Sequence, residues 1–143
     1  VAHTPCILPT TGKPSFQIGE GEMEIGVGHH GEPGIERRKM MSADEVSELL
    51  THQILEDLPF HSGDEVTVLI NGLGSTSLLE MYICFRKVAE ILSGRNIKIY
   101  RTYVGEFFTS LEMGGFSVTL TKMDEELKRL IDAPCDGVHF VQH

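Results

Sequence analysis

Glu65-Val66-Thr67-Val68-Leu69-Ile70-Asn71 runs directly into Gly72-Leu73-Gly74-Ser75-Thr76-Ser77, and then into Leu78-Leu79-Glu80-Met81. The first seven residues are mostly β-branched or apolar, the pattern of a strand covered by helices. The glycines turn the chain, and a helix is predicted over about 78–93. A strand, a glycine turn and a helix N-terminus can gather free amides at one spot and hold an anion. Here the GxGxxG spacing is incomplete and no Walker lysine follows, which argues against a nucleotide. Tight strand-to-helix packing is the simpler reading of the turn.

The same alternation extends to both sides. Downstream, residues 98–104 and 116–122 read as strands, and 105–113 divide between helix and loop. Asp124-Glu125-Glu126 opens a helix ending near Asp132, with acids suitably at its N-terminus, and 138–141 form a short last strand. Phe107, Phe108 and Phe116 read as core, since no basic interleaving makes them a stacking platform. Upstream, Ser42-Ala43-Asp44-Glu45 is a capping box for a helix that Pro59 stops at about Leu58. Val46, Leu49, Leu50, Ile54 and Leu58 fall on one face of it. His52, in mid-helix, reads as a surface residue without chemistry. The pattern predicts an α/β domain, a two-layer mixed sheet packed on helices.

The chain is 143 residues long and 41% hydrophobic, enough for one domain with a real core. Acidic residues outnumber basic ones 21 to 12, giving a formal net charge of -9 that repels nucleic acid and anionic membranes. Neither is an expected partner. No run approaches the apolar length of a membrane span, and no signal-peptide pattern is present. Cys6, Cys84 and Cys135 are odd in number and lack metal-ligand spacing, as expected of reduced thiols in a cytoplasmic protein. Cys84, inside a predicted helix, reads as a small buried apolar residue. Residues 1–16 carry Pro5, Pro9, Gly12 and Pro14 and no initiator methionine. They read as an extended lead-in from an upstream domain.

The richest stretch in chemistry is Gly26-Val27-Gly28-His29-His30-Gly31-Glu32-Pro33-Gly34, which follows the alternating run Glu22-Met23-Glu24-Ile25. Four glycines and a proline in nine positions forbid a helix and suit a backbone that turns sharply or lies close against a ligand. One reading is a Gly/Pro loop with incidental histidines. The other is a site loop presenting an imidazole as nucleophile, base or metal ligand. Metal is the weaker option, because adjacent side chains of an extended backbone point to opposite faces. Ile35-Glu36-Arg37-Arg38-Lys39 beyond it reads either as a solvated basic run or as a positive field beside the site.

Gly12-Lys13-Pro14-Ser15-Phe16, Glu22-Met23-Glu24, the run from Gly26 to Arg38, Asn71-Gly72-Leu73-Gly74-Ser75-Thr76 and Thr109-Ser110-Leu111-Glu112-Met113-Gly114-Gly115-Phe116-Ser117 together resemble the substrate-binding K subunit of dihydroxyacetone kinases. The resemblance runs nearly end to end. It implies that residues 1–143 are the second, C-terminal lobe of a two-lobed K domain, with 1–16 leading in from a first lobe. It also implies that His30 bonds the carbonyl carbon of dihydroxyacetone as a hemiaminal, with Gly28, His29 and Gly31 bordering the substrate.

The same resemblance implies no cofactor in this lobe. ATP, or ADP recharged by the phosphotransferase system, would come with Mg on a nucleotide-bearing L subunit, and the K subunit would be a homodimer. The lobe alone would be inactive. At position 29 the family usually carries an aliphatic residue, so His29 reads as a pocket neighbour and as a mark of a longer ketose such as a tetrulose. The competing reading is a non-catalytic paralogue that senses the ketose.

Overall fold

The computed structural model describes residues 1–29 and 32–143. In chain order the elements are β1 (Ile7–Leu8), β2 (Lys13–Pro14), β3 (Glu22–Ile25), β4 (Glu36–Lys39), α1 (Ala43–Asp57), β5 (Glu65–Gly72), α2 (Leu78–Gly94), β6 (Lys98–Gly105), β7 (Phe116–Lys122), α3 (Glu125–Ile131), β8 (Cys135–Asp136) and β9 (Val141–Gln142). The α/β class and the mixed sheet are as the sequence predicts.

β5 is the middle strand of three, with β6 parallel on one side and β7 antiparallel on the other. Val66, Val68 and Ile70 alternate onto one face and are completely buried there, in one core with Val88 and Leu92 of α2. α1 packs on α2 and reaches β7, while α2 lies against β5 and β6. The opposite face is partly covered by the C-terminal residues. Arg101 of β6 donates to Gln142 Oε1 at 2.5 Å, and the Tyr103 and Phe140 rings meet edge-on at 5.5 Å.

Both long helices start for the same reason. Ser42 caps α1 and Ser77 caps α2, and in each a glutamate three residues on, Glu45 and Glu80, bonds back to the cap amide. Of the expected apolar face of α1, Val46 is buried and Leu49, Leu50 and Ile54 pack against the core, while the fully shielded stripe is Val46, Ser47, Thr51 and Leu55. Thr51 returns its hydroxyl hydrogen to the Ser47 carbonyl at 2.6 Å, so a small polar pair sits completely buried, while Leu58 is left exposed.

The structure revises or adds to the sequence reading elsewhere. The basic cluster is a strand: β4 pairs with β3 in a ribbon of register Glu24↔Arg37. The last strand is only Val141–Gln142, paired with β8, and Val138 is fully exposed. Residues 105–113 contain no helix once β6 ends. The lead-in residues are not merely extended. β1 pairs with β2, and Ala2 bridges Glu24 on one side and Gly115 on the other. Ala2 thereby joins the β3–β4 ribbon to the start of β7.

That junction leaves no room at Gly115, where a Cβ would meet the Val1 carbonyl and the Ala2 Cα. Gly94, at the end of α2, has nothing within 4 Å of the same position. Denaturant unfolding should separate the two. Gly115→Ala is expected to cost about 3 kcal/mol through overpacking, and Gly94→Ala to stabilise by about 0.5–1 kcal/mol.

Candidate functional site

Sheets with parallel strands open their ligand crevices beyond the strands' carboxyl ends. Here β5 ends at Asn71 and Gly72, and β6 ends at Gly105, just before Glu106. Asn71 is almost fully buried and holds the next loop by its backbone. Its Oδ1 accepts from the Phe107 and Phe108 amides at 2.9 and 2.8 Å, and its Nδ2 donates to the Phe108 carbonyl at 2.7 Å. Phe108 is therefore displayed, while the Phe107 ring packs edge-on against Tyr103 and Phe140. Phe108 is 61% exposed, which corrects its placement in the core, and only Phe116 of the three expected phenylalanines is buried.

Phe108 meets the glycine loop. Its ring lies 4.4 Å from that of His29, tilted by 43°. Ser110 Oγ donates to the His29 carbonyl at 3.0 Å. His29 is thus held through both ring and backbone. An open cleft of about 500 Å³ lies here, walled by Cys6, Leu8, His29, Phe108 and the three residues after it. His29 Nε2 is buried and has no hydrogen-bond partner among the described residues.

The foot of the loop is locked at Glu24. Its carboxylate accepts from the Gly34 amide and from Arg37 Nε, each at 3.0 Å, and Ile35 N–H bonds the Ile25 carbonyl at 2.8 Å. Gly26 has φ +78°, and a Cβ on Gly34 would overlap the Ile25 carbonyl, so both positions need glycine. Gly28 N–H closes on the Glu32 carbonyl at 3.1 Å, and a Cβ there would run into the Glu32 carboxylate. His30 and Gly31, the covalent residue and a bordering glycine expected from the sequence, lie outside the described residues.

The positive-field reading of the basic cluster is not what the pairing favours. Arg37 is paired with Glu24 at 3.0 Å and Arg38 with Glu36 at 2.8 Å, so two of the three cations are neutralised on the ribbon itself. The turn after β5 is also internally spent. Ser75 N–H bonds the Met113 carbonyl at 3.1 Å, and Thr76 Oγ1 exchanges hydrogen bonds with the Gly115 amide and carbonyl at 2.8 and 2.7 Å. Those groups are unavailable to a phosphate, which supports the packing reading.

No cluster of three metal-ligating side chains occurs among the described residues, and none of their helices is long and apolar enough to cross a membrane. Burial pushes the Cys84 thiol up, away from reactive thiolate. A larger groove, about 790 Å³, runs between α1 and β7 beneath Gly26 and Val27. It offers no histidine and no unpaired buried polar atom.

Sequence reasoning missed Glu24, Asn71, Ser110 and Glu106. Asn71 had a signal: an amide ending an apolar strand has to find partners. Glu106 lays its carboxylate over Gly72, where a side chain would otherwise stand, and its Oε2 is buried without a partner among the described residues.

An α/β lobe that brings a histidine-bearing glycine loop over the carboxyl ends of its central strands belongs to the class of small-ligand-binding domains. Residues 1–139 match the family model described as the Dak1 domain, and the chain belongs to that family. It is 46% identical over 140 residues to the dihydroxyacetone-binding subunit DhaK of PTS-dependent dihydroxyacetone kinase 2 of Listeria innocua, covering 98% of this chain and 42% of that one. Identity to L-erythrulose kinase of Pectobacterium atrosepticum is 39% over 144 residues, covering 98% of this chain and 24% of that one. Among solved structures, the dihydroxyacetone kinase operon co-activator Dha-DhaQ superposes with a TM-score of 0.91 at 28% identity, covering 99% of this chain and 44% of that one. The chain spans less than half the length of each of these relatives.

The Asn71 clamp gives a direct test. Asn71→Ala removes three hydrogen bonds to one loop and leaves partly buried backbone groups without their partner. The expected cost is about 3 kcal/mol in urea unfolding. Limited proteolysis should show 105–111 becoming the first site of cleavage.

Proposed function

We propose that this chain is the ketose-binding lobe of a dihydroxyacetone kinase, the second lobe of its K domain, with His30 as the covalent residue. The observation that carries the reading is the 46% identity to a dihydroxyacetone-binding subunit over 98% of the chain. The locked foot of the glycine loop supports it, because a loop that must present one imidazole needs a fixed frame.

The chemistry follows from the residue type. A neutral imidazole carries a lone pair near pH 7. That pair bonds the ketone carbon, the carbonyl π pair moves to oxygen, and the oxygen takes up the proton that the ring gives up. No atom leaves. Glycerol and other saturated polyols have no carbon to accept the pair, so they are refused by reactivity where contact area alone is too small to discriminate. Gly28 and Gly31 keep side chains out of the approach, and the bond fixes a flexible ketose with one terminal hydroxyl directed outward. Delivery of the phosphoryl group, giving dihydroxyacetone phosphate, falls to a nucleotide-bearing L subunit that brings the nucleotide and Mg. The working K subunit is a homodimer in this reading.

The 0.91 TM-score to an operon co-activator favours one second reading, a ketose sensor without turnover. The full-length protein assayed with its L partner separates the two: phosphorylation of a short ketose supports the kinase, and ketose binding without it supports the sensor.

Intact-mass spectrometry of the full-length protein checks the bond. With dihydroxyacetone the mass should rise by the whole ketose, with no water lost. The adduct should vanish in His30→Ala and still form in His29→Ala. A mass short by one water would indicate a lysine imine and overturn the assignment, and loss in His29→Ala alone would move the role to His29.

A further inference from the structure

We propose that the groove between α1 and β7 is a docking site for the segment that precedes Val1 in the full-length protein. That segment pairs with β7 at Val118 and lays apolar side chains against α1. The inference rests on the reading of this chain as the second lobe of a longer K domain. It goes further by naming the surface through which the rest of the protein takes hold of the lobe.

β7 is an edge strand, paired with β5 on one side only. The Met123 N–H bonds the Glu65 carbonyl at 2.8 Å, which fixes the phase of that ladder. Ser117, Thr119 and Thr121 therefore turn their amides and carbonyls toward β5, and Phe116, Val118 and Leu120 turn theirs outward. At Phe116 the outward groups are taken. Val1 N donates to the Phe116 carbonyl at 3.0 Å, and the Phe116 N–H donates to the Val1 carbonyl at 3.1 Å. At Val118 and Leu120 the outward groups find no partner among the described residues.

An open edge recruits other strands, so folded chains blunt it with charge, proline or a bulge. β6, on the far side of the sheet, carries Lys98 and Arg101, and a register shift interrupts its pairing with β5. Arg101 is held there by Asp132 at 2.7 Å. From Phe116 to Thr121, β7 has no charge, no proline and no register shift. Such an edge is a template for one more strand.

The direction of the first residues selects the occupant. Val1 pairs with Phe116 and Ala2 bridges Gly115 in the antiparallel sense, so the path backwards from Val1 runs along β7 toward Val118. In that register the second residue before Val1 stands opposite Val118. The Val1 side chain is buried with Phe116 in the core, so a residue opposite Val118 turns its side chain to the same, helix-covered side. There lies the 790 Å³ groove, with Leu50, Ile54 and the half-exposed Leu58 of α1 on one wall and Val118 and Leu120 on the other. Main-chain bonds to the edge give such a segment its hold, and apolar side chains toward α1 give it its register.

Hydrogen exchange of the wild-type full-length protein, read residue by residue, tests this without a variant. The Thr119 amide, which faces β5, is the internal reference. With the edge paired, the Val118 amide should exchange within about tenfold of Thr119, whereas exchange about a hundredfold faster or more marks an open edge and overturns the proposal. Maleimide labelling of the full-length protein, located by peptide mass, gives a second readout. Glu56→Cys, exposed and off the groove, should label freely, and Leu58→Cys about tenfold more slowly or less. Equal rates overturn the proposal. Protection of Val118 that vanishes when the protein is diluted to a monomer assigns the strand to a second copy and overturns it too. None of these measurements involves the ketose, so their failure leaves the ketose-binding reading standing, and a missing ketose adduct overturns that reading without altering them.

Discussion

Glu24 is where the separate pieces of this fold are tied together. Its backbone exchanges hydrogen bonds with Ala2 at 3.0 and 2.8 Å, and Ala2 carries the connection on to the start of β7. Its carboxylate, in a residue only 8% exposed, takes the Gly34 amide with one oxygen and Arg37 with the other. A carboxylate withdrawn from water is stable only when both oxygens are occupied by donors. The position of Gly34 is therefore dictated by the electrostatics of a residue ten places earlier. The ribbon, the loop and the central sheet then share one frame, without a long apolar interface between them.

The second clamp, Asn71, works from the other side of the crevice. A polar side chain at the end of a buried strand has no strand partner for its amide, so it binds the backbone that crosses above it. That backbone then presents Phe108 to His29 and Ser110 to the His29 carbonyl. The chain uses rigid strands to hold two irregular loops against each other, the common arrangement where loops carry a site. The loop after β6 depends on Asn71, more than thirty residues away, for its backbone partners.

Much of this frame was legible because it obeys local rules. β5, β6 and β7 announce themselves by apolar content or alternation, and α1 by a Ser-x-x-Glu cap. What was not legible depends on partners far along the chain. β4 is a strand made of Glu36, Arg37, Arg38 and Lys39, and four charged residues carry no strand signal until β3 lies beside them. Phe108 is apolar, yet a clamp placed 37 residues earlier sets it on the surface. α1 buries Ser47 and Thr51 in preference to Leu58, because small residues allow the neighbouring helix to approach. At the site, the glycines and histidines stood out by type alone. Ser110, bonded to a carbonyl 81 residues away, had nothing in its own surroundings to distinguish it.

The proposed bond at His30 recognises its ligand in a way that contact alone could not manage. A three-carbon ketose has too little surface for a cleft of this size to select by burial, since each buried methylene adds only about 0.8 kcal/mol. Bond formation at His30 answers whether a carbonyl is present and is indifferent to what lies beyond it. The loop that would make that bond is locked at its foot by Glu24. Side chains around the cleft can then change while the frame that anchors the glycine loop stays as it is.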